Sequence, residues 1–154
     1  GFPLSATIAR PEIADALKPG EHLSTFGGNP ISCAAALANI DVMEDEQLPA
    51  GAARKGEHVL NRLRELQDRH LLIGDIRGAG LMIGAELVTN RDTKEPATKQ
   101  AADIRRICRE NGVLIGVGGQ FGNVLRIQPP LVISDVELDR AVDAIADALG
   151  AVSA

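Results

Sequence analysis

Beyond His70 the chain alternates short apolar runs, each broken by glycine or a polar turn, with amphipathic helical stretches. That alternation restricts the fold more than any other feature. LLIGDIRGAGLMIGAELV, residues 71–88, holds two apolar runs parted by glycines, so a strand is expected at about 80–88 with a shorter one before it. TNRDTKEPAT follows as a polar loop. Residues 98–111 place Ala101, Ile104, Ile107 and Cys108 on one helical face, and Asn111-Gly112 ends the helix. VLIGV at 113–117 and VLRI at 124–127 read as strands joined through GGQFGN, and Pro129-Pro130 ends the second. Ser134 caps a last helix, with Glu137 completing a capping box. Its apolar positions include Leu138, Val142, Ile145 and Leu149. This β-α-β-β-α order implies an α/β chain whose C-terminal part is α+β: a small sheet with helices packed on one face.

The first third reads differently. LSATIA, residues 4–9, has the pattern of a strand, and Pro11 opens a helix expected to reach about Lys18, where Pro19-Gly20 stops it. A long alanine-rich helix runs from about Pro30 to Asp45, and a more polar one from about Ala50 to His70, with Val59, Leu60, Leu63 and Leu66 at helical spacing. Residues 1–46 close no unit of their own. Their apolar faces have no sheet to meet, so they are expected to be the end of a larger domain, with residues 47–154 forming a small C-terminal one. The chain starts at Gly1 without a polar lead-in and reads as a piece of a longer protein.

Composition narrows the function classes. The 154 residues carry a net charge of −5 with the signs well mixed, which argues against a nucleic-acid surface. Three Phe, with no Trp or Tyr, argue against base stacking or an aromatic sugar platform. No apolar run approaches the ~18 residues of a membrane span, and no signal peptide is visible. Cys33 and Cys108 are the only cysteines and suit a reducing, cytoplasmic setting as small buried residues.

Candidate chemistry concentrates at a few places. HLSTFGGNP, residues 22–30, puts hydroxyls and paired glycines before Asn29, a natural cap, and Pro30, a natural first helical residue. Such a loop suits an anion, although it lacks the lysine and spacing of a P-loop, and a plain structural turn competes with that reading. Arg126 lies among apolar strand residues, where an internal salt bridge and a carboxylate-binding role are equally open. Arg77, with Asp75 two residues before it, favours a structural role. His22, His58 and His70 show no metal spacing; only His22, beside the glycine loop, is a functional candidate. None of Lys18, Lys55, Lys94 and Lys99 has an apolar setting suited to Schiff-base work.

GFPLSA, PGEHLSTFGGNPISCAAALANIDVM, DIRGAGLMIGAEL, NGVLI and GNVLRIQPPLVIS, in this order, resemble the C-terminal part of class III aminotransferases, which are fold-type I, pyridoxal-phosphate-dependent enzymes. The resemblance covers essentially the whole chain. It implies transfer of an amino group from an α- or ω-amino acid to a keto acid, with pyridoxal 5'-phosphate as electron sink, in a homodimer. It implies that Thr25, assisted by Ser24, binds the cofactor phosphate held by the other subunit, and that Arg126 binds the substrate carboxylate. It also implies that the Schiff-base lysine lies upstream of Gly1. No catalytic residue is then expected within the chain, which alone is expected to be inactive. Two alternatives stand beside this reading: a non-catalytic small-domain module for binding or interaction, and a small α+β anion-binding protein.

Overall fold

The computed structural model describes residues 1–153, which divide into two compact units, Gly1–Gln47 and Leu48 onward. The first unit holds α1 (Pro11–Ala14) and α2 (Pro30–Asp45). Residues 1–10 form no strand, contrary to the expectation for 4–9, and Ile8 is 95% exposed. An extended segment becomes a strand only when a neighbour takes its backbone groups, and this unit contains no other strand. Helix α1 ends at Ala14, earlier than expected. No α1 residue is buried, so nothing offsets the ordering entropy of a longer helix. Helix α2 spans its predicted range with Asn29 as cap and Pro30 in the first turn.

The second unit carries the core. Helix α3 (Leu48–Arg69) leads into β1 (Ile73–Ala79) and β2 (Met82–Asn90). The short β3 (Glu95–Pro96), which the sequence did not signal, precedes α4 (Thr98–Glu110), β4 (Gly116–Gly118), β5 (Val124–Ile127) and α5 (Asp135–Ser153). The strands form one antiparallel sheet in the order β1-β2-β5-β4, with β3 paired to β2.

Period-two alternation assigns the faces. Ile83, Ala85 and Leu87 of β2, with Leu125 and Ile127 of β5, are buried against the helices. Opposite them lie Val59, Leu63 and Leu66 of α3, Ala101, Ile104 and Cys108 of α4, and Leu138, Val142, Ile145 and Leu149 of α5. The other face is solvated and displays Asp75, Arg77 and Arg126. Helices on one face is therefore the observed arrangement.

Strand β4 begins three residues later than expected, because residues 113–115 do not pair. Gly116 stands opposite Arg126, so continuing that register would set Leu114 and Val113 against Gln128 and Pro129. Proline has no N–H to give such a ladder. The capping box forms as read: Ser134 Oγ lies 2.7 Å from Glu137 Oε2, and the Glu137 N–H donates to Ser134 Oγ at 3.2 Å. The Ser134 hydroxyl and then the Ser134 N–H, at 3.1 Å, donate to the Glu137 carboxylate and lower its pKa from the ordinary value.

Candidate functional site

Two places carry the chemistry that the sequence singles out, one in each unit. In the first, the backbone of Gly27 donates to the Ser24 carbonyl at 3.4 Å, closing a tight turn around Thr25 and Phe26. Glycine is required at 27. A Cβ there would lie 2.8 Å from Ser24 Cβ and 2.9 Å from Ser24 Oγ, too close for any side chain. Gly28 follows at φ +66°, the left-handed region open to glycine at little cost. Asn29 then accepts from the Ser32 N–H at 2.9 Å and donates to the Phe26 carbonyl at 3.0 Å, tying loop to helix. The cap consumes the Ser32 donor. The Ile31 N–H and the Thr25 hydroxyl have no hydrogen-bond partner among the described residues. Exposed hydroxyls, a cramped glycine turn and the positive end of α2 together suit a dianionic phosphate. His22 and Ser24 border an open concavity of about 520 Å³ beside this turn, and Thr25 stands outside its wall.

In the second unit, register places Arg77, Gly84, Arg126 and Gly116 in one row across four strands of the solvated sheet face. The two arginines of that row have opposite surroundings. Arg77 reaches Asp75 at 2.5 Å and Glu86 at 2.8 Å, and these bonds, Asp75 first, raise its pKa further. Its charge is answered within the sheet, as the structural reading expects. Arg126 has no carboxylate partner among the described residues. Its one side-chain hydrogen bond among the described residues runs from Nη2 to Gln128 Oε1 at 2.7 Å. The internal salt bridge that the sequence left open is absent among the described residues, and the arginine is exposed rather than buried.

The sequence passed over Gln128 and the glycines around Arg126. The signal was present in the i, i+2 spacing that puts residues 126 and 128 on the same side of an extended chain. Gly84 and Gly116 could be matched to Arg126 only once the strand register was known.

Several other polar residues have structural partners. His58 lies 2.7 Å from Asp139, and Arg62 bridges Asp139 and Asp143, joining α3 to α5. The Asp139 carboxyl is held below its ordinary range, first by His58 and then by Arg62. Lys55 donates to the Ile133 carbonyl. Cys108 is buried, and desolvation pushes its thiol up to about 11, so it acts as core rather than nucleophile. No group of His, Cys, Asp and Glu that could hold a metal occurs among the described residues. Nor is any helix there long and apolar enough to cross a membrane.

The family model for aminotransferase class-III matches residues 1–149. The chain is similar to alanine–glyoxylate aminotransferase 2 homolog 2, mitochondrial, of Arabidopsis thaliana, with 46% identity over 94% of this chain and 30% of the relative. It is 45% identical to acetylornithine aminotransferase of Methanothermobacter thermautotrophicus, over 94% of this chain and 34% of the relative. It is also 42% identical to leucine/methionine racemase of Thermococcus litoralis, over 97% of this chain and 33% of the relative. Among solved structures, a Bacillus anthracis aminotransferase superposes with TM-score 0.82 at 38% identity, covering 92% of this chain and 34% of that one. The chain thus spans about a third of the length of the curated relatives it matches. With its glycine loop, its one-sided antiparallel sheet and a match over nearly its whole length, this chain belongs to the class III aminotransferase family.

Proposed function

We propose that this chain is the C-terminal portion of a pyridoxal-phosphate-dependent transaminase, which moves an amino group from an amino acid to a keto acid. Residues 1–46 are then the end of the large cofactor domain plus the interdomain helix, and residues 47–154 the small domain. The parent works as a homodimer in the reducing cytoplasm, in keeping with the free thiols of Cys33 and Cys108. When bound, the cofactor supplies the electron sink that makes the substrate's α-proton labile. Thr25, with Ser24, holds the cofactor phosphate through hydroxyl donors, and the Gly27-Gly28 turn lets the backbone approach it closely. Arg126 receives the substrate carboxylate. Its planar fork matches two carboxylate oxygens and fixes the amino group's position by holding the far end of the molecule. The lysine that would carry covalent chemistry is expected upstream of Gly1.

The observation that carries this reading is the contrast along one sheet row: Arg77 has its carboxylates, and Arg126 has none among the described residues. The test uses the full-length holoenzyme with an amino acid and its carboxylate-free amine counterpart. Arg126→Ala should cut kcat/KM for the amino acid by roughly 2–4 kcal/mol, and Arg126→Lys by less. The amine should be nearly unaffected. Equal losses for both substrates, with a lowered melting temperature, would return Arg126 to a structural role.

A second reading has support in the relatives, since one is named a leucine/methionine racemase and another, 43% identical, an ethanolamine-phosphate phospho-lyase homolog. Turnover that requires a keto acid and converts it to an amino acid supports transamination. Racemisation or elimination without any keto acid would replace it.

A further inference from the structure

We propose that Gln128 is a positioning residue: it aims the Arg126 guanidinium at a carboxylate without neutralising it, and Gly116 and Gly118 form the bed on which the arginine lies. The proposal rests on the reading of Arg126 given above. An exposed arginine on a strand has several rotamers, and a bidentate contact needs one of them. The carboxamide of Gln128 accepts one N–H from Nη2 at 2.7 Å and leaves the other donors free. A carboxylate in its place would hold the fork equally well but would also answer its charge. Arg77, in the same row, shows that outcome with Asp75 and Glu86. A neutral acceptor is the residue type that orients a cation while leaving it available to an incoming anion.

The backbone beneath the arginine points the same way. A Cβ at Gly118 would lie 2.8 Å from Arg126 Cδ and 3.8 Å from Nε, and one at Gly116 would lie 3.3 Å from Arg126 Cβ. The arginine stem therefore lies along β4 across both glycines. Any side chain at 118 would lift it. On the opposite flank the register partner is Gly84, again without a side chain. Glycine weakens a strand, so glycines on both neighbours of one arginine mark a place where close approach matters more than sheet stability.

The test uses the full-length holoenzyme with Gln128→Glu, Gln128→Ala and Gly118→Ala, and with Arg126→Ala as control. An amino acid and its carboxylate-free amine are compared, the amine as substrate or as competitive inhibitor. In Gln128→Glu the new carboxylate competes with the substrate, so KM for the amino acid should rise about tenfold or more, the loss of one hydrogen bond to a charged group. Gln128→Ala and Gly118→Ala should raise it several-fold. The amine should be unmoved, and the melting temperature of Gln128→Glu unchanged or higher. A merely structural Gln128 predicts the same melting behaviour with no change in KM. Independently of activity, the Arg126 side-chain N–H signals of the 154-residue chain should show restricted rotation by NMR, lost in Gln128→Ala. Unchanged KM in Gln128→Glu, equal rises for acid and amine, or unchanged Arg126 signals in Gln128→Ala would each overturn the proposal. If Arg126→Ala itself harms both substrates equally, the carboxylate reading has failed and the proposal falls with it. If Arg126→Ala is selective while the Gln128 variants are silent, only the positioning role has failed.

Discussion

Single residues divide between those whose role a neighbour in sequence reveals and those whose role a distant residue decides. On the proposed reading Thr25 is of the first kind. Its hydroxyl precedes paired glycines and a capped helix start, and it has no hydrogen-bond partner among the described residues. In the full-length protein, Thr25→Ala should weaken cofactor retention by ~1.5–3 kcal/mol, the value of a hydrogen bond to a charged group. Equilibrium dialysis against pyridoxal 5'-phosphate measures that directly, and saturating cofactor should recover most of kcat. An unchanged dissociation constant would remove Thr25 from the phosphate site. Arg126 is of the second kind. Local sequence left two roles open, since a charge between apolar neighbours is costly whether a salt bridge or a ligand answers it. What separates Arg126 from Arg77 is which residues the register brings opposite. Arg77 drew Glu86 from the next strand, and Arg126 drew glycines.

Elements were legible where one face met a core and illegible where pairing decided them. Helices α3, α4 and α5 have strong apolar stripes, so their periodicity located them to within a few residues. The segment at 4–9 had the right alternation and no partner, and β3 had a partner and no pattern. Close packing between elements is equally silent in sequence. Gly56 lies mid-helix in α3, where glycine is a poor choice by propensity. A Cβ there would come 2.1 Å from the Gly80 carbonyl oxygen in the β1–β2 turn, and Gly80 itself holds φ +53°. The turn presses on the helix backbone, and only glycine admits it. Gly56→Ala improves local helix propensity by about 1 kcal/mol, yet it should destabilise the protein by ~1–3 kcal/mol or more through overpacking. Urea unfolding of the 154-residue chain measures the difference. A neutral or stabilising Gly56→Ala would mean that the turn yields without cost.

At the scale of the whole chain, the core belongs to one unit. Every buried apolar residue among those described lies at or beyond Ala52, whereas the first unit buries only Ser32. That unit instead exposes Phe2, Ile8, Leu23, Phe26 and Leu37, each more than half accessible. Two consequences follow from the free-energy balance. A fragment that starts at Leu48 keeps the sheet, α3, α4 and α5 together with their shared core, so it should unfold in a single cooperative step. Residues 1–47 alone bury too little apolar surface to offset their conformational entropy, and should give no cooperative transition. The exposed apolar residues should also make the full 154-residue chain self-associate, since contiguous apolar surface on a soluble protein seeks a cover. Sedimentation velocity over a wide concentration range separates the two forms: the full chain should shift to larger species as concentration rises, and the fragment from Leu48 should remain a monomer. A full chain that stays monomeric would mean that its apolar residues are too dispersed to associate. A fragment that associates as strongly as the full chain would move the sticky surface onto the sheet unit, where exposed Leu114 at the β4 edge is the first residue to substitute.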